Sequence, residues 1–493
     1  VHTDDKPVGA GAETLSSIEK RSIDHVPVSE RRGRVWHQGP FWFTGNCNFF
    51  TIAIGFVGPA LGLGFWPTCL ASLLGLAFGT VFMALHATQG PDLGLPQMVQ
   101  SRAQFGYRGV FLPLLATLFT FLGFNVIDTV LVSQGLQNLV GVPPLVSALA
   151  LAAAAVLLAT YGYDWLHRIF RVLFWLSLPA YLALSIAIAT GHIAGSSSVT
   201  LESFTWVAFA SQFAVAASYN ITFAPYVSDY TRYLPPGQSP LLLMASVYLG
   251  AALSSIWLIA LGAWLAVHLG ASDGMIAIKI AGDQLFSGGG LLVIGISVLA
   301  LAAAMGLNAY SGMLTVVTAV DSVRKLEPTR GLRVICILIL AFVWLAIAWA
   351  IDESAIGALY TGLTVMLYLL APWSAINLID YFILRRRKYA IAELFTPTGI
   401  YGQWNKVGLF CYVVGLLVGV PFFSLPGVFV GPVAQLLGGA DLAWLPELAV
   451  SAALYYLFMH RRDFSHEWAL AEKELAAVDP APEDQPAALD ANR

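Results

Sequence analysis

The sequence predicts an all-α polytopic membrane protein with twelve transmembrane helices, and three observations carry that prediction. Of 493 residues, 58% are hydrophobic and only 11% are charged. A soluble domain carries roughly 25% charged residues, so this supply cannot cover an aqueous surface of ordinary area. The apolar residues fall in blocks of about 20 rather than in strict alternation, which selects helices over an outer-membrane barrel. The Lys and Arg residues gather on alternate connections between those blocks, as the positive-inside rule requires of a chain with both ends on one side.

Taken in order, the spans lie near 41–64, 66–86, 109–139, 143–161, 170–190, 204–227, 240–268, 286–320, 332–351, 355–383, 405–424 and 443–460. The eighth and tenth exceed what a bilayer needs and are expected to tilt. Lys6, Lys20, Arg21, Arg31, Arg32 and Arg34 precede the first span. Arg102 and Arg108 follow the second, Arg168 and Arg171 the fourth, and Arg232 the sixth. Arg324, Lys325, Arg330 and Arg333 follow the eighth, while Arg385, Arg386, Arg387, Lys388 and Lys406 follow the tenth. Arg461 and Arg462 follow the twelfth, and Lys279 alone falls on the other side. This places the chain in the inner (plasma) membrane with both termini cytoplasmic. Residues 1–38 and 463–493, the latter with Pro480, Pro482 and Pro486, read as mobile cytoplasmic tails. No cleavable signal peptide is expected, because the first 38 residues are polar.

The same composition excludes several functions. A net charge of −4 offers nothing to a nucleic acid. Cys47, Cys69, Cys336 and Cys411 sit in apolar blocks and read as small buried hydrophobes, not as a disulfide or metal framework. No H-E-x-x-H, G-x-S-x-G or paired intramembrane carboxylates are present, so no enzyme, cofactor or metal is expected. His86 and His268 lie near span ends, where a surface role is the default.

Two spans are interrupted. The first reads Phe43-Thr44-Gly45-Asn46-Cys47-Asn48-Phe49-Phe50-Thr51, then Gly55 and Gly58-Pro59. The sixth reads Ser218-Tyr219-Asn220-Ile221-Thr222-Phe223-Ala224-Pro225, where the proline removes a backbone donor. Irregular backbone at membrane depth is tolerated only where it lines a cavity. Transporters built from inverted repeats place such breaks in matching helices, and spans one and six are five apart. The competing reading is close packing through small residues. Twelve spans with paired breaks favour alternating access over a channel or receptor.

These stretches are similar to a known family. Phe223-Ala224-Pro225-Tyr226-Val227-Ser228-Asp229-Tyr230-Thr231-Arg232-Tyr233-Leu234-Pro235 resembles the sixth-helix signature of the nucleobase–cation symporters, in their purine–cytosine permease branch. So does the loop Gly90-Pro91…Gly94-Leu95-Pro96-Gln97-Met98…Ser101-Arg102…Phe105-Gly106-Tyr107…Gly109. The resemblance implies a LeuT-type fold: two inverted five-helix repeats, 39–203 and 204–390, then two further helices in 391–462. It implies uptake of a planar nitrogen heterocycle with a cation. Two aromatics would sandwich the ring, here Phe124 and Phe223. A polar side chain one turn after the first falls on Asp128, and a helix-eight amide falls on Asn308. The polar position of helix one falls on Asn46 or Asn48. For all of these, helix packing or interhelical hydrogen bonding is the competing reading.

Three departures from the family pattern matter. The two aromatics, usually Trp, are Phe. The helix-three amide is an acid. The helix-eight hydroxyls of sodium-coupled members fall on Ala302 and Ala303. Hard cations want oxygen ligands, so proton coupling is expected and sodium disfavoured. A carboxylate at membrane depth costs roughly 2.5–3.5 kcal/mol, and burial disfavours its charged form. Asp128 is thus expected either to carry the coupling proton or to pair with a cationic or amidine-like substrate edge. Structural hydrogen bonding of the acid competes with both. A same-fold carrier of a cationic amine or vitamin-like heterocycle is the alternative, since Asp128 and two Phe rings also suit a cation. Asp229 and Arg232 read as gate or loop contacts.

Overall fold

A computed structural model describes residues 21–195, 204–271, 273–326 and 329–478. Lys6, Lys20, Pro480, Pro482, Pro486 and the remainder of the two expected tails lie outside the described residues. The first predicted span is a broken helix: α1 (Gln38–Asn46), α2 (Phe49–Ile54) and α3 (Val57–Ala60). Helix α4 (Phe65–Ala87) follows, then three short turns, α5 (Gln89–Leu93), α6 (Gln97–Gln100) and α7 (Arg102–Phe105). Helices α8 (Phe111–Val140), α9 (Pro144–Tyr161) and α10 (Tyr163–Ala189) complete the first half. Helix α10 begins before the predicted span, so Arg168 and Arg171 lie on it.

The second half opens with another broken helix, α11 (Trp206–Ile221) and α12 (Ala224–Thr231). Then come α13 (Pro240–Leu269), the short α14 (Gly274–Asp283), α15 (Gly289–Val323), α16 (Arg330–Ala350) and α17 (Ala355–Leu378). A π-turn, Ile379–Leu384, extends α17. The chain closes with α18 (Lys406–Gly419), α19 (Pro432–Leu436), α20 (Trp444–Met459) and α21 (Ser465–Val478). Among the described residues, eight helices have the length and apolarity to cross a membrane. The other four predicted segments hold the two broken helices, α18 and α20.

Packing sorts these helices into two groups. Helix α4 packs on α11 and α13, and α1 packs on α13. Helix α15 packs on α8, α9, α10 and α16. Glycine sets the closest approaches. A Cβ at Gly262 of α13 would stand 2.0 Å from the Ile52 carbonyl oxygen of α2, and one at Gly79 of α4 would stand 2.1 Å from the Ala217 carbonyl of α11. With apolar lipid outside, such backbone contact supplies the dispersion that holds membrane helices together.

Three surface expectations are corrected. His86 is fully buried, stacked on Trp373 at 4.9 Å with Nδ1 on the Phe82 carbonyl; the α4–α17 packing covers the helix end it was expected to decorate. The described part of the N-terminal segment is docked. The Val26 amide donates to the Gly94 carbonyl at 2.9 Å, and Arg31 donates to the Pro91 carbonyl at 2.7 Å. Arg232 donates to the Ser22 carbonyl at 2.6 Å. At the other end α21 is held by Glu467, which accepts from Arg385 and from the Tyr401 hydroxyl, both at 2.7 Å. Charge on these segments is paired against the protein, which a composition-based reading of tails cannot register.

Cys47, Cys336 and Cys411 are buried and Cys69 half-buried, all as free thiols. Asp321 pairs with Arg102 at 2.7 Å, and Asp380 pairs with Arg385, so both acids lie in buried networks at one end of the bundle. Asp229 accepts the Gln97 amide at 3.0 Å, a loop contact of the expected kind.

Candidate functional site

The breaks in α1–α2 and α11–α12 face each other across a small cavity of about 20 Å³, walled on the other side by α8 and α15. The first break arises because Asn48 turns extended (φ −145°, ψ 179°) and caps α2, its Oδ1 accepting the Thr51 amide at 3.4 Å. Its Nδ2 returns to the Gly45 carbonyl at 2.7 Å, and Thr51 Oγ1 donates to the Asn46 carbonyl at 2.5 Å. Side chains thereby satisfy backbone groups that the missing turn frees. The second break arises at Phe223, just before Pro225 in the first turn of α12. Thr222 Oγ1 covers the Tyr219 carbonyl at 2.8 Å, and Ser218 Oγ reaches the Leu363 carbonyl at 2.5 Å.

Phe124, Asp128, Phe223, Asn308 and Asn48 all line this cavity. Asn46 does not: its Nδ2 donates to Asn220 at 2.9 Å and to Ser255 at 2.8 Å, tying α1 to α11 and α13. The Phe124 and Phe223 rings stand near-parallel, 19° apart in plane with centroids 5.8 Å apart. Two aromatics missed by sequence reasoning complete a box. Phe50 lies 5.3 Å from Phe124, and Tyr219 lies 5.4 Å from Phe50 and 5.6 Å from Phe223. Tyr219 precedes Phe223 by four residues, a spacing that places both on one helix face. Phe50 falls within the first break. Leu301, Ala304 and Leu307 supply the apolar wall on α15.

The polar groups of this cavity differ in one respect. Asn308 accepts from the Tyr226 hydroxyl at 2.8 Å and donates to Asn125 Oδ1 at 2.9 Å. Tyr219 and Thr51 share a hydrogen bond of 2.6 Å between their hydroxyls. Asn48 serves the helix break. Asp128 is only 2% exposed, and its Oδ1 is buried without any partner among the described residues.

One end of the cavity is sealed. Trp42 packs its edge on Phe223 at 5.7 Å and on Tyr230 at 5.8 Å, and Phe41 stacks on Phe170 at 5.0 Å. Beyond the other end, a larger cavity of about 540 Å³ runs between the far ends of α8 and α13 and the starts of α14 and α17. Phe49, Phe56, Gln134, Asn138 and Asp273 line it. Ala302 and Ala303 are buried on α15 and bring no side-chain oxygen. Among the described residues no cluster of three or more His, Cys, Asp or Glu is placed to hold a metal ion.

Residues 25–445 match the family described as permease for cytosine/purines, uracil, thiamine, allantoin. The putative purine-cytosine permease YxlA of Bacillus subtilis is 33% identical over 445 residues, covering 90% of this chain and 96% of that protein. The purine-cytosine permease fcyB of Emericella nidulans is 25% identical, over 89% of this chain and 88% of its own. Among solved structures, Mhp1, a nucleobase-cation-symport-1 family transporter in a closed conformation with bromovinylhydantoin bound, superposes with a TM-score of 0.68. It is 19% identical over 94% of this chain and 97% of its own, a likeness that carries the fold.

Proposed function

The chain belongs to the family of permeases for cytosine/purines, uracil, thiamine and allantoin, and from that premise we propose that it is a proton-coupled symporter. It would import a planar nitrogen heterocycle of the purine or cytosine type by alternating access. The observation that carries this reading is the near-parallel pair Phe124 and Phe223 beside the unpartnered Asp128. A flat ring between two aromatic faces needs two contact distances of about 3.5 Å. The present 5.8 Å separation would thus widen by roughly 1 Å as substrate enters.

Proton coupling is supported by chemistry at two places. The α15 turn at Ala302 and Ala303 offers no side-chain oxygen to sodium, and Asp128 is an acid with no internal partner among the described residues. In this cycle Asp128 loads from the larger cavity, holds its proton while substrate is bound, and releases it on the opposite side. The reading carries a layout with it. The two broken helices, α18 and α20 would bring the crossings to twelve in the inner membrane, with the docked N-terminal segment and α21 on the cytoplasmic side. Residues 39–203 and 204–390 would be inverted repeats, 391–462 the two added helices, and the larger cavity the outer vestibule.

Uptake into proteoliposomes under an imposed pH gradient, without sodium, tests the proposal. Accumulation of a labelled nucleobase is expected, and Asp128→Asn should equilibrate substrate without concentrating it. Uptake that requires sodium and ignores pH would overturn proton coupling. A second reading, import of a cationic amine or vitamin-like heterocycle, rests on the lone carboxylate within an aromatic box. A thermal-shift screen separates the two: stabilisation by amines but by no planar base would favour the second.

A further inference from the structure

We infer that Asn125 is a positioning residue for substrate recognition: it fixes which end of the Asn308 amide donates, although it is not among the residues lining the cavity. The inference rests on the nucleobase reading above, in which Asn308 meets the edge of the bound ring. Asn125 follows Phe124 on α8 and is 1% exposed. Its Nδ2 donates to the Met305 carbonyl of α15 at 3.2 Å, and its Oδ1 accepts from Asn308 Nδ2 at 2.9 Å. Asn308 in turn accepts from the Tyr226 hydroxyl of α12 at 2.8 Å. Three helices thus share one chain of hydrogen bonds, running from Tyr226 through Asn308 and Asn125 to a backbone carbonyl.

The carbonyl at the end of the chain dictates its polarity. A backbone carbonyl only accepts, so Asn125 must turn its nitrogen to Met305 and its oxygen to Asn308. That oxygen also only accepts, so Asn308 must present its nitrogen to Asn125 and its oxygen to Tyr226. Tyr226 cannot make this choice, because a phenolic hydroxyl both donates and accepts and would hold the amide either way round. With Asn308 reversed, two amide oxygens would face each other in a site closed to water, Asn125 being 1% and Asn308 4% exposed. The lost bond and the stranded acceptors disfavour the reversed form by about 5- to 150-fold. Bonded as it is, Asn308 keeps one N–H and one lone pair, in a fixed order, for whatever enters the cavity it lines. A ring edge of matching order binds, and one of the opposite order meets donor against donor or acceptor against acceptor.

The test is equilibrium binding of two matched pairs, cytosine with uracil and adenine with hypoxanthine, whose members exchange a donor for an acceptor on the ring edge. The purified full-length protein is compared with Asn125→Leu, which keeps the side-chain size and removes the amide, and with Tyr226→Phe. In Asn125→Leu the preference that the parent protein shows within a pair should narrow by about 5-fold or more, because the weaker member gains affinity once Asn308 can turn to meet it. Tyr226→Phe removes a hydrogen bond to the same amide without freeing its polarity, so both members should weaken alike and their ratio hold. In an Asn308→Ala background Asn125→Leu should leave the ratio unchanged. A loss shared equally by both members in Asn125→Leu marks a structural role and overturns the inference, as does a ratio that narrows equally in Tyr226→Phe. A parent protein that binds both members of each pair equally also overturns it, and leaves the nucleobase reading intact. If no member of either pair binds, the nucleobase reading falls and the inference with it. Should Asn125→Leu not fold, Asn125→Ala removes the same amide and decides by the same comparison.

Discussion

Gly262→Ala should distort the substrate cavity from a distance, and its size can be worked from the crossing of α2 and α13. The added Cβ would stand 2.0 Å from the Ile52 carbonyl oxygen, and one added at the reciprocal position, Gly55, would stand 2.3 Å from the Ile259 carbonyl oxygen. Ordinary contact begins near 3.4 Å, so the two backbones must part by about 1.4 Å. Both partners are main chain and cannot rotate away, which puts the cost at or above the upper end of the roughly 1–3 kcal/mol typical of overpacking. The segment that moves also carries Asn48 and Phe50, which line the cavity, so substrate affinity should fall with stability. Gly295→Ala is the matched control. It lies in α15 with nothing within 4 Å of its added Cβ, and removing a helical glycine there should stabilise by roughly 0.5–1 kcal/mol. Thermal unfolding in detergent, followed by intrinsic fluorescence with and without substrate, should move the two midpoints in opposite directions. A Gly262→Ala protein that melts with the parent and binds normally would show that these backbones do not touch, which refutes the close crossing.

Two further outcomes follow from titratable groups that packing removes wholly or partly from water. Glu447 of α20 is fully buried with neither carboxylate oxygen bonded among the described residues, in space left by Gly419 of α18. An unsatisfied buried polar group costs roughly 1–3 kcal/mol, so Glu447→Met should raise the thermal midpoint and leave transport intact; lost transport at unchanged stability would instead mark the carboxylate as functional. In the N-terminal segment, burial and then the charges of Arg31 and Arg21 push His25 down from 6.5 to about 4. The undocked segment takes up a proton below pH 6.5 that the docked one refuses, so docking is full above that pH and weakens as pH falls toward 4. Hydrogen exchange of residues 21–37, corrected for intrinsic rates, should rise between about pH 7 and pH 5, and His25→Gln should remove the rise. A pH-independent exchange rate in the parent protein would sink this account.

Much of the architecture is legible in the amino-acid sequence, for a reason rooted in the solvent. A bilayer forces every backbone group to be satisfied locally, so apolar blocks become helices at the positions where they are written. The eight long helices fall on predicted spans, with α10 starting earlier than expected. Breaks are equally local: Asn48 as a cap and Pro225 as a missing donor act within one turn. A lone acid in an apolar helix is visible for the same reason, which singles out Asp128 and, one turn before it, Phe124. Which face of a helix meets which neighbour is another matter. A span apolar all round gives no stripe to orient it, so the sequence does not reveal that Asn48 lines the cavity while Asn46 ties three helices together. Nor does it reveal that Phe50 and Tyr219 close the aromatic box. His86 reads as a surface group, because burial there, as at Glu447, is imposed by other helices arriving from far along the chain. The ends of the chain repeat the lesson: their composition is polar, and only the partners waiting at Gly94, Arg232 and Arg385 decide that the described parts dock. Local chemistry determined the helices and their breaks; long-range packing decided which side chains share a cavity, and that sharing sets the chemistry a substrate must bring.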